Sequence, residues 1–145
     1  MIIKKATINE LEAATELFDL YRQFYEQPSD LDAAREYLDS RMQNNESIIF
    51  IAYEGEAAAG FVQLYPSFSS VSLKRVWVLN DLYVKKEARS KGVGEHLIAK
   101  AAQLAKETGA KGLFLETTSD NVPAQSLYEK IGFKREANYF YFLSV

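Results

Sequence analysis

The chain has 145 residues, 48% of them apolar and 26% charged, with a formal net charge of −3, enough for one packed core and too little for two ordinary domains, so residues 1–145 read as a single domain. Mixed charges and 13% aromatic residues exclude disorder and any broad basic face for nucleic acid. The absence of cysteine and the single histidine, His96, exclude disulfides, thiolate metal sites, a cysteine nucleophile and a histidine metal cluster.

Met1 to Ala6 alternates like a strand, with no apolar run long enough for a signal peptide, and no later stretch approaches a membrane span; a soluble, cytoplasmic protein is expected. A helix follows, capped by Thr7 or Asn9, with Leu11, Ala14, Phe18, Tyr21 and Tyr25 as its apolar stripe, and Pro28 ends it. The next helix starts at Ser29 or Asp30, buries Ala34, Tyr37, Leu38 and Met42, and stops at "QNNES". Three segments rich in β-branched and aromatic residues, "SIIFIAYEGE", "AAAGFVQLYPSF" and "VSLKRVWVLNDLYV", predict an antiparallel meander. A long helix after Gly92 sets Val93, Leu97, Ala101 and Leu104 on one side and ends near Gly109. Then come a buried strand, "GLFLETT", a helix from about Pro123 to Ile131 that stops before Gly132, and a closing aromatic strand, "NYFYFLSV". The order is α+β, with a mixed sheet.

The segment "ARSKGVG" lies between the third meander strand and the long helix. The first N–H groups of a helix have no partner and its dipole is positive there, so the place suits an anion, above all a phosphate. Gly92 and Gly94 allow close backbone approach, and Lys85, Lys86, Arg89 and Lys91 reverse the local charge of an otherwise acidic chain. The same residues also suit a solvated loop ahead of a helix. Two phosphate motifs fail: Glu95 and His96 stand where a P-loop needs Lys and Ser/Thr, and Leu97 where a dinucleotide fingerprint needs glycine.

What remains, Arg89-Ser90-Lys91-Gly92-Val93-Gly94, resembles the Arg/Gln-x-x-Gly-x-Gly/Ala signature with which GNAT N-acetyltransferases hold the pyrophosphate of acetyl-CoA. A second segment, "DNVPAQSLYEKIGF", carries Asn121, Ala124, Tyr128, Gly132 and Phe133 in that family's spacing. Positions 121, 124 and 128 share one helical face, although Asn121 equally suits an N-cap and Tyr128 a core tyrosine. "LNDLYV", "FVQLYPSFSS" and "YRQFYEQ" resemble the small bacterial, diamine-acetyltransferase-like members.

The resemblance spans nearly the whole chain and implies a central, mostly antiparallel sheet of six to seven strands flanked by about four helices. It implies acetyl-CoA as cosubstrate, no metal, and direct attack of a primary amine on the thioester. Under it, Leu82, Tyr83, Val84, Arg89, Ser90, Lys91, Gly92, Val93, Gly94, Asn121 and Ala124 hold the cofactor and Tyr128 is the general acid. Asp81 is the leading base, with a structural carboxylate at a bulge as its other reading and Glu116 or a water relay as alternative bases; Asn80 stands where diamine acetyltransferases often carry an acid. Tyr21, Tyr25 and Glu26 are expected to meet the acceptor, a small amine such as a polyamine or amino acid; Tyr21 and Tyr25 also suit a core stripe. A noncatalytic acyl-CoA-binding module or a peptide lysine acetyltransferase fits the same motifs. The aromatic last strand suits a homodimer, and no nucleic acid or membrane partner is expected.

Overall fold

A computed structural model of the chain describes residues 1–145. Strand β1 (Ile2–Lys5) leads through a 3-10 turn into helix α1 (Leu11–Phe24). Thr7 caps that turn: its Oγ1 accepts from the Asn9 amide and donates to the Glu10 carboxylate. α1 stops ahead of Pro28, with Glu26 at a φ of 64°. Asp19, buried near the end of α1, accepts from the Ser29 hydroxyl at 2.7 Å and the Asp30 amide at 2.8 Å, which ties the turn down. Asp30 then caps helix α2 (Leu31–Gln43) by accepting from the Ala33 amide.

Strands β2 (Ile48–Glu54), β3 (Ala57–Ser69) and β4 (Lys74–Val84) form the expected meander, followed by helix α3 (Val93–Glu107), strand β5 (Leu113–Phe114) and helix α4 (Val122–Ile131). The sheet runs β1-β2-β3-β4-β5, antiparallel except for the parallel β4–β5 pair. Side chains alternate across a strand, so Ile49, Ile51 and Phe61 pack under α1 and α2 with Leu17, Phe18 and Leu38. Phe50, Val62, Leu64 and Leu79 pack on the other face against Val93, Leu97 and Ala101 of α3. Burial on both faces explains why β2 and β3 read as apolar runs. Leu17, Leu38 and Leu97 are wholly buried, each stabilising the fold by about 1.5–3 kcal/mol.

Several expectations are corrected. The sheet has five strands, not six to seven, because "NYFYFLSV" forms none and no backbone hydrogen bond is made beyond Phe133. A strand requires an edge as well as a β-prone sequence, and within the chain this segment lies against none. "GLFLETT" is strand only at Leu113–Phe114, and Phe114 is half exposed. Tyr37 of α2, expected to be buried, is 38% exposed, with its ring stacked on Phe18 and its hydroxyl bonded to that of Tyr65. No helix is long and apolar enough to cross a membrane.

Two irregularities interrupt the sheet around β4. Gln63 faces Asp81 while Leu64 faces Leu79, so Asn80 is the extra residue of a bulge in β4. β5 pairs with β4 only at Trp77–Leu113 and Val78–Phe114, after which the two strands part.

Candidate active site

The site begins with the backbone between β4 and α3. Ser90 and Gly92 both adopt positive φ, 63° and 81°, and this double left-handed turn swings the chain into α3. Gly92 is the N-cap and offers no side-chain acceptor to the first turn. The first helical bond is donated by His96 to the Gly92 carbonyl, so the N–H groups from Ser90 to Glu95 find no acceptor in the protein. They form a cluster of donors at the positive end of a helix dipole. Lys85 is engaged by Glu16 at 2.9 Å, and Arg89 folds back to donate from Nε to the Val84 carbonyl, its guanidinium over the Tyr83 ring. Lys86 and Lys91 have no carboxylate partner, so they and the free amides carry the positive potential.

The splay of β4 from β5 opens directly onto this cradle. The Lys85 amide donates to the Ala59 carbonyl of β3, and alternation along the strand therefore turns the N–H groups of Leu82 and Val84 away from β3, into the gap that β5 leaves. The gap holds a cavity of about 480 Å³. One wall is Leu79, Asn80 and Leu82 to Val84 with Arg89, Ser90 and Gly92 to Gly94; the other is Leu115 to Thr117 with Asn121, Ala124, Leu127 and Tyr128. Asn121 caps α4, its Oδ1 accepting from the Ala124 amide, so the capping role holds and its residue still lines the cleft. Tyr128 packs edge-on against Phe133, and burial, with Tyr25 nearby, pushes its phenol above the ordinary tyrosine range; no protein group bonds its hydroxyl.

Tyr21 and Phe24 of α1, with Tyr25 just past its end, close the other end. Tyr21 serves both readings: its ring meets Phe18 and Phe61 in the core, while its hydroxyl donates to the Asn80 carbonyl at 3.3 Å. Tyr25 is half exposed beside it. Beneath them Asp81 is 3% exposed, with Oδ2 accepting from the Gln63 side-chain amide and Oδ1 from Asn80 Nδ2 at 2.9 Å. Burial lifts its carboxyl above the usual range, although the bonds from Gln63, Asn80 and Tyr21 oppose the shift.

Of the residues singled out from sequence, Tyr21, Tyr25, Leu82, Tyr83, Val84, Arg89, Ser90, Gly92, Val93, Gly94, Asn121, Ala124 and Tyr128 meet around this one cavity. Asp81 sits behind its wall, covered by Tyr21 and Asn80, and Lys91 and Glu26 lie exposed outside it. Phe24, from the acceptor cluster, and Glu116, the alternative base, also line the cleft, as does Leu127, which was not singled out; nor was Gln63, wholly buried and bonded to Asp81. A glutamine inside the apolar run "FVQLY" was the available signal. A roomier hollow of about 590 Å³ between β1, α2 and Trp77 contains none of these residues.

Comparison with known proteins places the chain in a family. The sequence model of the acetyltransferase (GNAT) family matches residues 14–133. The chain is 44% identical over 142 residues to the uncharacterized N-acetyltransferase YhfO of Bacillus subtilis, covering 98% of this chain and 95% of that one. It is 28% identical over 140 residues to the D-amino-acid N-acetyltransferase HPA3 of Saccharomyces cerevisiae, covering 94% and 86%. A crystal structure described as a probable acetyltransferase superimposes with a TM-score of 0.93 at 44% identity, covering 100% of this chain and 99% of that one. The chain therefore belongs to the GNAT acetyltransferase family and is an N-acetyltransferase.

Proposed function

We propose that the protein transfers the acetyl group of acetyl-CoA to the primary amine of a small molecule, with both substrates bound at once. The observation that carries this reading is the continuity of the cleft: unpaired amides at one end, Tyr128 in the middle and the α1 aromatics at the other. The donor set fits the cosubstrate. The Ser90 to Glu95 amides, with Arg89 and Lys91 beside them, suit its diphosphate, and the free edge of Leu82 and Val84, opposite Asn121 and Ala124, suits an arm bearing amides. Bound there, acetyl-CoA supplies an activated acetyl thioester.

The chain's own groups supply the rest. A primary amine has a pKa of about 10.4, so holding it neutral near pH 7 costs about 4–5 kcal/mol. Asp81 takes the proton, and because it lies behind the wall, the Tyr21 hydroxyl relays it from the cleft. The amides of Leu82 and Val84 are fixed donors for a developing oxyanion. Tyr128, whose hydroxyl is free to donate, protonates the departing thiolate. With no cysteine in the chain, an acetyl-cysteine intermediate is impossible. The acceptor carries its amine between Tyr21, Phe24 and Tyr25, a setting that favours a cation by ring-face attraction.

Free-thiol release from acetyl-CoA, measured against polyamines, amino acids and a lysine-rich peptide, tests the reading. Release with a small amine supports it. Release with the peptide alone assigns a protein substrate, and tight binding without release from any amine assigns a noncatalytic acyl-CoA module.

A further inference from the structure

We propose that the hollow of about 590 Å³ between β1, the end of α2 and the start of β4 is a second binding site, for a small carboxylic acid with an apolar body. No residue lines both this hollow and the acetyl-transfer cleft, so the proposal goes beyond the acetyl-transfer reading and does not depend on it.

Strand alternation assembles the hollow. Lys4 faces Ile51 and Lys5 faces Phe50 across β1 and β2, so the two lysines leave opposite sides of the sheet. Lys4 pairs with Glu10 at 3.1 Å. Lys5 shares the α3 side with Phe50, and the same alternation puts Ile48 there with Phe50, and Arg75 with Trp77. α3 ends at Glu107, next to which Thr108 accepts a 2.9 Å bond from Trp77 Nε1 and fixes the indole. Met42 and Ser47, from the end of α2 and the connection that follows it, complete the lining.

Two cations stand here without a counter-charge. Acidic residues outnumber basic ones in the chain, 20 to 17, yet neither Lys5 nor Arg75 makes an ion pair, and no Asp or Glu lines the hollow. Glu46, close by in sequence, is taken by Arg41 at 2.9 Å. Arg75 is half-buried, its guanidinium 5.1 Å from the centre of the Phe68 ring and 5.2 Å from that of Trp77. Ring faces attract the cation but do not accept its N–H groups in the paired way a carboxylate does. The rings therefore hold the fork in place and leave its donors for a ligand.

The rest of the lining has the opposite character. Met42 and Ile48 are half-buried beside Trp77, so apolar surface adjoins the cations. Ser47 Oγ is buried and bonds no protein group, an unmet polar atom on the same wall. An acid whose body lies on Met42, Ile48 and Trp77 covers that surface, sets its carboxylate against Lys5 and Arg75, and brings an acceptor to the wall that bears the Ser47 hydroxyl. Inorganic phosphate would answer the cations and leave the apolar surface bare, while an amine, the class proposed for the other cleft, is repelled by both cations. The volume is that of a small-molecule site.

Trp77 is the one tryptophan of the chain, so an isotope-labelled sample gives a single indole N–H signal in its nuclear magnetic resonance spectrum, and that signal reports this hollow. Titration of the full chain with phenylpropionate is expected to move the Trp77 indole signal and the Ser47 and Ile48 amide signals saturably, with those of Gly92 and Gly94 left in place. The neutral amide of the same acid is expected to bind at least about tenfold more weakly, and the double variant Lys5→Gln/Arg75→Gln to weaken the acid by at least about the same factor, as loss of charge-assisted bonds does. A dispersed amide spectrum establishes that the variant has folded, and the comparison of acid with amide needs no variant. Absence of a saturable indole shift at millimolar acid overturns the proposal, as does equal affinity for acid and amide, or undiminished binding by the folded double variant. Shifts centred on Gly92 and Gly94 overturn it too, because the acid then occupies the amide cradle of the cleft. No readout uses turnover or acetyl-CoA, so failure of the acetyl-transfer reading leaves this test intact.

Discussion

Gln63 and Asp81 stand opposite each other on β3 and β4, and the buried Gln63 amide donates to the buried Asp81 carboxylate. The bulge at Asn80 makes this meeting possible: the extra residue turns Asp81 into the α1 side of the sheet, while Asn80 itself faces the cleft. The Gln63 Oε1 has no partner, so the side chain is held chiefly by what it gives to Asp81.

This burial makes stability depend on pH. It raises the Asp81 pKa in the folded state above its unfolded value of 3.8, so the folded protein holds this proton more tightly than the unfolded chain. The resulting stabilisation is complete below the unfolded pKa and is lost as pH rises through the folded one. Asp81→Asn removes that loss, and the Tm of the variant relative to the parent is expected to increase from pH 4 to pH 8. Its rate is expected to lose the rise with pH that marks a titrating base. A constant Tm difference with an unchanged rate profile would move the base elsewhere, Glu116 being the carboxylate that lines the cleft.

Tyr21→Phe keeps the ring contacts with Phe18 and Phe61 and removes only the hydroxyl beside Asn80 and Asp81. Relay through that hydroxyl makes the variant about 10²-fold slower in kcat/KM, the lower end of what a positioned proton carrier contributes, with acetyl-CoA affinity unchanged. A variant as fast as the parent at every pH removes Tyr21 from the proton path.

Tyr128→Phe retains packing on Phe133 and deletes a hydroxyl that bonds no protein group, so little stability is lost. As the general acid, it supports turnover by about 10²–10⁴-fold. Single-turnover rates should fall by that factor while the acetyl-CoA Kd stays within about twofold, a change worth only about 0.4 kcal/mol. Parallel losses in both would make it a binding residue.

The two cradle glycines are expected to separate. At Gly92, a valine must adopt a φ of 81°, which costs about 1–2 kcal/mol for an L-residue, so Gly92→Val lowers both Tm and acetyl-CoA affinity. Gly94 has an ordinary φ, and a Cβ there lies 3.5 Å from Leu127 Cδ2 in normal contact. Gly94→Val crowds the cleft mouth and weakens acetyl-CoA binding by at least about tenfold, or about 1.4 kcal/mol, with a smaller change in Tm than Gly92→Val. Calorimetry and thermal melts on both variants check the separation.

Much of this site was legible because short-range rules control it. Glycine spacing before an amphipathic helix marks a turn that exposes amides, and the i, i+3, i+7 spacing of Asn121, Ala124 and Tyr128 puts them on one face wherever the helix lies. Asp81 was readable as a base or as a carboxylate at a bulge, but its orientation depends on the register of that one-residue bulge against β3, which changes the face of every later side chain. Gln63 matters only through that register. The aromatic tail was readable as β-prone, but a pattern shows the capacity to pair and not the partner.

The most direct test of the acetyl-transfer cleft is calorimetric titration of the purified protein with acetyl-CoA, followed in the same sample by thiol release on adding small primary amines. One acetyl-CoA per chain is expected, with release that Tyr128→Phe slows by about 10²–10⁴-fold while the binding heat persists. Absence of binding heat, or release unaffected by the loss of the Tyr128 hydroxyl, would contradict the acetyl-transfer reading.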